Sequence, residues 1–531
     1  GVNALNTANY DGNGLNVAVG YGAGAAVTTG VQNVFVGGGA GDAVTTGQNN
    51  IAIGYNALSS EDGHSYNVAV GGYALTDLNA GADGYNVAVG YFAGKSVSTG
   101  TKNTLIGGIA GDALTTGIQN VAIGYQALSA EDTGQGAVAV GYQALASQNA
   151  DGAYHNVAVG FQAGTSVSTG GQNTLIGDSA GYNLTTGGNN IAIGYRALYT
   201  EDGNGNNVAI GREALEVQNA GADAHNIAIG YRAGHAVTTG VDNVLIGGLP
   251  GDAITTSSYN IAIGRNALGS ETGGSRSTAI GYFALATQNK GSGDANNVAV
   301  GHSAGEQMTT GIQNTLIGNT AGDALTTGSY NVAFGYNALT TEDTGNYNTA
   351  IGRGALQDLD AGNAYNTAVG YNAGTNVTTG VENVFIGGAA GDAITTASAN
   401  VAIGYSALGT EDTMGNNTAV GYKALQDLNA GENGNTVAIG AEAGRRLSTG
   451  VKNTIVGALA GDHLTTGDYN VAIGYQALTT EDDHGRNVAI GYNALRDLDA
   501  GADGYNTAVG YEAGKEITTG VESVLIGGLA G

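Results

Sequence analysis

Residues 50–75 read NIAIGYNALSSEDGHSYNVAVGGYAL, one phrase stated twice in succession. The phrase is an Asn, two branched residues flanking Ala, and then Gly. It recurs as NVAVG at 16–20, NVFVG at 33–37, NIAIG at 50–54 and NVAVG at 67–71, and continues to SVLIG at 523–527. The closing glycines, called marker glycines below, fall at 20, 37, 54, 71, 90, 107, 124, 141 and 160, with spacings of 17, 17, 17 and 19 that then repeat. A 17-residue unit is thus nested in a superunit of about 70 residues. The fourth spacing stretches to 20 between Gly281 and Gly301 and shortens to 18 between Gly352 and Gly370. The change always falls in one place, in stretches such as GADGYN at 81–86, GSGDANN at 291–297 and GNAYN at 362–366. A turn that accepts one to three extra residues while its neighbours keep their length reads as solvent-facing.

A 17-residue period is too short for most helical repeats, and Gly, Val, Ile, Thr and Asn are poor helix formers. In Val17-Ala18-Val19 or Ile51-Ala52-Ile53 the branched residues alternate with Ala, which puts the two kinds on opposite faces of a strand. The expected fold is all-β. It is a parallel β-solenoid whose coil consists of a strand, a corner at the marker glycine, a second short strand through YxAL or YxAG, and a return turn. Coils stacked about 4.8 Å apart make roughly thirty of them a rod on the order of 140 Å long. The superunits run approximately 16–85, 86–155, 156–225, 226–296, 297–365, 366–435 and 436–505, with a partial one at 506–531, and 1–531 reads as a single repeat region. The opening GVNALNTANYDGNGLN matches the second part of a later unit and Gly531 falls in mid-unit, so the chain reads as a segment of something longer.

The repeat also predicts packing. The fourth residue after the marker is Gly24 or Gly41 in the first two coils of a superunit and Leu58 or Leu75 in the last two. The seventh is Val27 or Val44 beside the glycines and Glu61 beside Leu58, a tendency toward constant volume that stacked coils require. The one proline, Pro250, occupies a slot that is otherwise nearly always Ala, and a slot that admits Pro is expected not to donate to a ladder.

Composition narrows the function. There are 96 Gly, one Pro, no Cys and no Trp in 531 residues, and a hydrophobic share of 42% is too large for a disordered Gly-rich linker. Sixteen Lys and Arg against 44 Asp and Glu leave a net charge of −28, which opposes nucleic acid and anionic membrane as partners. No apolar run approaches the 18 or so residues of a membrane helix, so membrane insertion is not expected.

Three features attract functional readings. Asn16, Asn33, Asn50 and Asn67 would align along the stack, where side-chain amides can hydrogen-bond to one another. Tyr21, Tyr55, Tyr91, Tyr125, Tyr142 and Tyr195 follow marker glycines, and such a stripe is expected to pack between chains or to offer sugar-stacking platforms. Acids gather in the third and fourth coils, as Glu61-Asp62, Asp77 and Asp83, then Glu131-Asp132 and Asp151, then Glu201-Asp202 and Asp223. They read as solvated turns, with weak calcium contacts at Asp77, Asp83, Asp223, Asp294 and Asp503 as the cation alternative. No further cofactor is implied.

Catalysis finds little. The His residues at 64, 155, 225, 235, 302, 463 and 484 show no metal-ligand spacing, GYGAG at 20–24 precedes no helix, and repeated carboxylates do not make one active site. The chain therefore reads as a non-enzyme. The TTG returns do not make a flat Thr array, since adjacent Thr on a strand face opposite ways.

NVAIGYQALSAEDTG (120–134) and NTLIGGIAGDALTTG (103–117) resemble the repeats of YadA-like trimeric autotransporter heads, and more closely the Asn-Thr-Ala-x-Gly-Tyr-x-Ala-Leu repeats of phage tail fibres. The resemblance covers the whole chain. It implies a left-handed β-roll with three chains side by side, and hence a homotrimer or filament. Two uses follow. One is the shaft of a phage tail fibre or similar extracellular appendage, holding a receptor-binding tip away from its base. The other is a bacterial surface adhesin that itself binds a host or cell-surface glycan or protein. The longer coil of this chain departs from the YadA-like pattern and favours the fibre group.

Overall fold

The computed structural model describes residues 1–9, 13–431 and 433–531. The fold is an all-β parallel solenoid of about thirty coils, and no helix occurs among the described residues. Its contacts divide it into two units, Gly1–Ala262 and Ile263–Gly531. In the first, three-residue strands run from Val17–Val19 to Val244–Ile246, each parallel to the next in exact 17- or 19-residue register, as in Val17↔Val34, Ala18↔Phe35 and Val19↔Val36. The second runs in the same parallel manner from Thr278–Ile280 to Val524–Ile526, with the register stretched at Thr278↔Val298 and shortened at Thr349↔Thr367. The strand Ile261–Ile263 falls on the division.

The strands are short because the marker glycine ends them. Its φ lies between +128° and +147°, a region closed to residues with a side chain. A Cβ on Gly54 would also run into the carbonyl of Gly71 in the next coil, so close stacking demands glycine a second time.

The expected second strand does not form. YxAL and YxAG are turns in which the second and fourth residues after the marker are left-handed, as at Asn56 (φ 51°) and Leu58 (φ 53°). The turn nevertheless bonds to both neighbours: the Asn56 N–H donates to the Gly38 carbonyl at 3.0 Å and the Leu58 N–H to the Ala74 carbonyl at 2.9 Å. Stacking, which satisfies the backbone of the turn, lets non-glycine residues hold this conformation. Between these two, the Ala57 N–H reaches only the Gly54 carbonyl of its own coil, at 3.4 Å. Pro250 in that slot therefore sacrifices no inter-coil bond, while its carbonyl still accepts from Gly234 at 3.0 Å.

Strand centres face inward and the branched residues outward. Ala52 is fully buried, whereas Ile51 and Ile53 are 36% and 38% exposed. The strand centres are thus small residues, except in the second coil of each superunit, where Phe35, Leu105, Leu175, Leu245, Leu316, Phe385 and Ile455 occupy them. The fourth residue after the marker is Gly both in those coils and in the first coil of each superunit, as at Gly24 and Gly41, which flank Phe35. The compensation that the sequence suggested at the seventh residue lies instead between that glycine and the strand centre. Val27, Val44, Glu61 and Leu78 at the seventh position are all buried.

Candidate functional site

The asparagine column is structural, by a different bond from the amide stacking expected. Oδ1 accepts the backbone N–H at the same place in the next coil: Asn33 N–H donates to Asn16, Asn50 N–H to Asn33 and Asn173 N–H to Asn156, at 2.8–2.9 Å. Outside the fourth coils, Nδ2 donates to the carbonyl fourteen residues on, as from Asn33 to Gly47 at 2.9 Å. One side chain thus serves two backbone groups in a buried setting where leaving either unpaired is costly. Side-chain-to-side-chain amide bonds are secondary and longer, as from Asn67 to Asn50 at 3.3 Å. Asn67 heads a fourth coil, where the variable turn displaces the usual carbonyl, and its Nδ2 turns to Ser65 instead.

The third-coil glutamates are not solvated, as the sequence had suggested. Glu61, Glu131, Glu201, Glu271, Glu342, Glu411 and Glu481 are fully buried at the seventh position. Their carboxylates tie down the return turn: Glu131 accepts from Gly134 N–H at 2.7 Å and from Gln148 Nε2 at 2.9 Å, and Glu61 from His64 N–H at 2.9 Å. Burial pushes the Glu131, Glu342 and Glu481 carboxyls above the usual range, and that of Glu411 to about 7.

The variable turns are exposed at Gly81–Asp83, Gly221–Asp223, Gly291–Asp294 and Gly501–Asp503. The acids of the last three reach back to the preceding coil. Asp223 accepts from Gly205 N–H at 3.0 Å, Asp503 accepts from Gly485 N–H at 3.2 Å and pairs with Arg486, and Asp294 pairs with Arg276. Asp77 and Asp83 are exposed. The structure does not bring these five aspartates together. Carboxylate and imidazole groups converge elsewhere, at Glu61-Asp62-His64, Glu213-Glu216-His235, Glu342-Asp343-Asp360 and Glu481-Asp482-His484-Asp499. The second of these is an ion-pair network, with Glu216 held by Arg196 at 2.7 Å and by His235 at 2.8 Å.

The feature that stands out chemically is the outward sheet face. Two branched residues per strand lie half exposed, and the residue after the marker glycine extends the face with rings: Tyr21 is 69% exposed, Tyr55 and Tyr91 58%. The rings stack from coil to coil, with Tyr125, Tyr142 and Phe161 at 5.7 and 5.1 Å and Tyr475, Tyr492 and Tyr511 at 5.4 and 5.3 Å. Where Arg212 and Arg353 replace Tyr, the guanidinium lies within 6 Å of the rings on both sides. Across the two strand rows and this aromatic row, Asp178 is the only acid in a chain that carries 44.

A second aromatic row escaped the sequence reading. It occupies the left-handed residue before the Asn, where Tyr66 and Tyr85 stack at 5.0 Å, and Tyr330, Tyr347 and Tyr365 at 5.1 and 5.0 Å. The recurrence of Tyr directly before Asn at coil spacing was the available signal. No protein-family model matches the chain, and no curated protein matches it in sequence.

Proposed function

We propose that the chain is a structural fibre or adhesin shaft, of a phage tail or a similar extracellular appendage, that associates laterally with two further copies of itself and spaces a receptor-binding tip from its base. The observation that carries this reading is the outward face of half-exposed Val, Ile and Tyr. In the first unit alone, fourteen successive strands from Val17–Val19 to Val244–Ile246 present it. A continuous apolar patch beyond a few hundred Å² is rare on a solitary soluble surface. That it carries a single acid, Asp178, matters equally, because copies of a chain with net charge −28 repel one another everywhere else. Second copies meeting on this face would bury branched and aromatic side chains with little charge desolvated.

Light scattering decides the matter. A mass of three times 52.3 kDa is expected for the purified chain. Val140→Lys with Ile193→Lys, both on the outward face, should reduce that mass to one chain without loss of β-structure by circular dichroism. A monomeric parent chain at micromolar concentration would overturn the proposal.

A further inference from the structure

Beside the outward face, in the first unit, lies a cleft of about 300 Å³ lined by Ala153, Tyr154, Gly171, Gln172, Gly188 and Asn189. It has a definite sequence origin. The position two before the Asn carries a side chain in most coils, for instance Val31, Gln48 and Ser65, but Gly171, Gly188 and Gly205 follow one another there, the one run of three glycines in that row. Of these, Gly171 and Gly188 make the floor. The wall is Tyr154, contributed by the variable turn DGAYHN at 151–156. Its ring lies against Gly171, where a Cβ would come within 2.7 Å of Cδ1, so the ring position depends on that glycine. Gln172 and Asn189, left-handed (φ 61° and 59°) and exposed, supply two side-chain amides one coil apart.

We infer that this cleft is a binding subsite for a neutral carbohydrate, with a pyranose ring against Tyr154 and its hydroxyls on the amides of Gln172 and Asn189. The lining holds no charged side chain, in a molecule whose net charge of −28 would repel an acidic sugar. Each amide offers both a donor and an acceptor, which matches adjacent hydroxyl groups, and an aromatic ring suits the apolar face of a sugar. An extended peptide is a poorer fit. The backbone N–H groups that would pair with it are engaged, Gln172 N–H with the Tyr154 carbonyl at 2.6 Å and Asn189 N–H with the Gly171 carbonyl at 3.0 Å. A subsite beside a variable turn on a constant scaffold is also where specificity can change without disturbing the coils. This inference does not depend on lateral assembly.

The test uses the full chain, with cellotriose, maltotriose and chitotriose as probes in saturation-transfer NMR and titration calorimetry. At least one trisaccharide should bind, and Gln172→Ala with Asn189→Ala should weaken it at least tenfold. Tyr154→Ala should do the same and Tyr154→Phe should not. Gln32→Ala with Asn49→Ala, which removes the corresponding amides in the first superunit, should leave binding unchanged. Absence of binding by all three probes, or equal binding by the Gln172/Asn189 double variant, would overturn the subsite. Light scattering on the same samples separates the two proposals: a monomer that binds sugar refutes the shaft assembly alone, and a trimer that ignores all three sugars refutes the subsite alone.

Discussion

Gly24 lies directly against the ring of Phe35 in the next coil, so that a Cβ on Gly24 would stand 2.7 Å from Cδ2 of Phe35, and Gly41 crowds the other side of the same ring. The large strand centre and the two glycines are therefore one packing unit. Leu105 repeats it with Gly94 and Gly111, where an added Cβ would come within 2.5 and 2.8 Å of its methyl groups. Third and fourth coils, with Ala52 and Ala69 at the strand centre, carry Leu58 and Leu75 at the fourth position instead. Gly111→Leu alone should be strongly destabilising, since it overpacks the core, and Leu105→Ala alone should cost about 2–5 kcal/mol through its cavity. Together they should cost less than the sum, by a coupling on the order of 0.5–3 kcal/mol in urea denaturation. Strict additivity would show that the two sites do not share one volume.

Asn173 supports two backbone groups, the N–H of Asn190 at 2.9 Å and the carbonyl of Gly187 at 3.0 Å. Asn173→Ala strands both in a buried setting, and an unsatisfied group costs about 1–3 kcal/mol. Asn173→Thr should be milder, because Thr436 occupies the same slot in the chain and its hydroxyl still accepts from Asn453 N–H at 3.3 Å. Hydrogen exchange at Asn190 should follow that order, fastest in the Ala variant. Equal protection in both variants would count against the side chain as the ladder's carrier.

The strands, their register and the exposed variable turns were legible in the sequence because each is set by spacing, and spacing survives translation into stacked coils. What was not legible depends on partners that only stacking supplies. YxAL looks extended by composition, yet Leu58 is left-handed because its N–H finds Ala74 in the next coil. Glu61 looks solvated beside Asp62, yet the turn closes over it and the His64 N–H takes its carboxylate. The cleft at Tyr154 was invisible for the converse reason. Its floor is two successive glycines, Gly171 and Gly188, which in a chain with 96 of them carry no signal until their row is known.

The turn acids should be dispensable for folding. Asp83 and Asp294 are exposed, and Asp294 pairs with Arg276 at the surface, where ion pairs add little. Replacing Asp83, Asp223, Asp294 and Asp503 together with Asn keeps an acceptor for Gly205 and Gly485 and should leave the thermal midpoint unchanged. A clear fall would make these turns part of the folding core instead of ridges on it.

Stability should fall as pH rises from 5 to 8, the reverse of what is usual for a protein rich in paired carboxylates. Glu411 sets the case. Burial raises its carboxyl to about 7; Met414 N–H donates to Oε1 at 2.9 Å, but Oε2 has no hydrogen-bond partner among the described residues. A folded-state pKa above the unfolded one means that the native state holds the proton more tightly. The stabilisation is then complete below the unfolded pKa, near 4.5, and is lost as pH climbs through about 7. Burial acts in the same direction on Glu131, Glu342 and Glu481, and on Asp42, Asp112, Asp323 and Asp392. Asp497 opposes them, its carboxyl lowered by the hydrogen bonds from Arg496, but it is one group against many. Glu411→Gln removes the charge while keeping an acceptor for Met414. It should raise the urea midpoint at pH 8, by about 1–3 kcal/mol in stability, and leave the midpoint at pH 5 nearly unchanged. A midpoint that rises between pH 5 and pH 8 in the parent chain would show that the buried glutamates are ionised and satisfied as they stand.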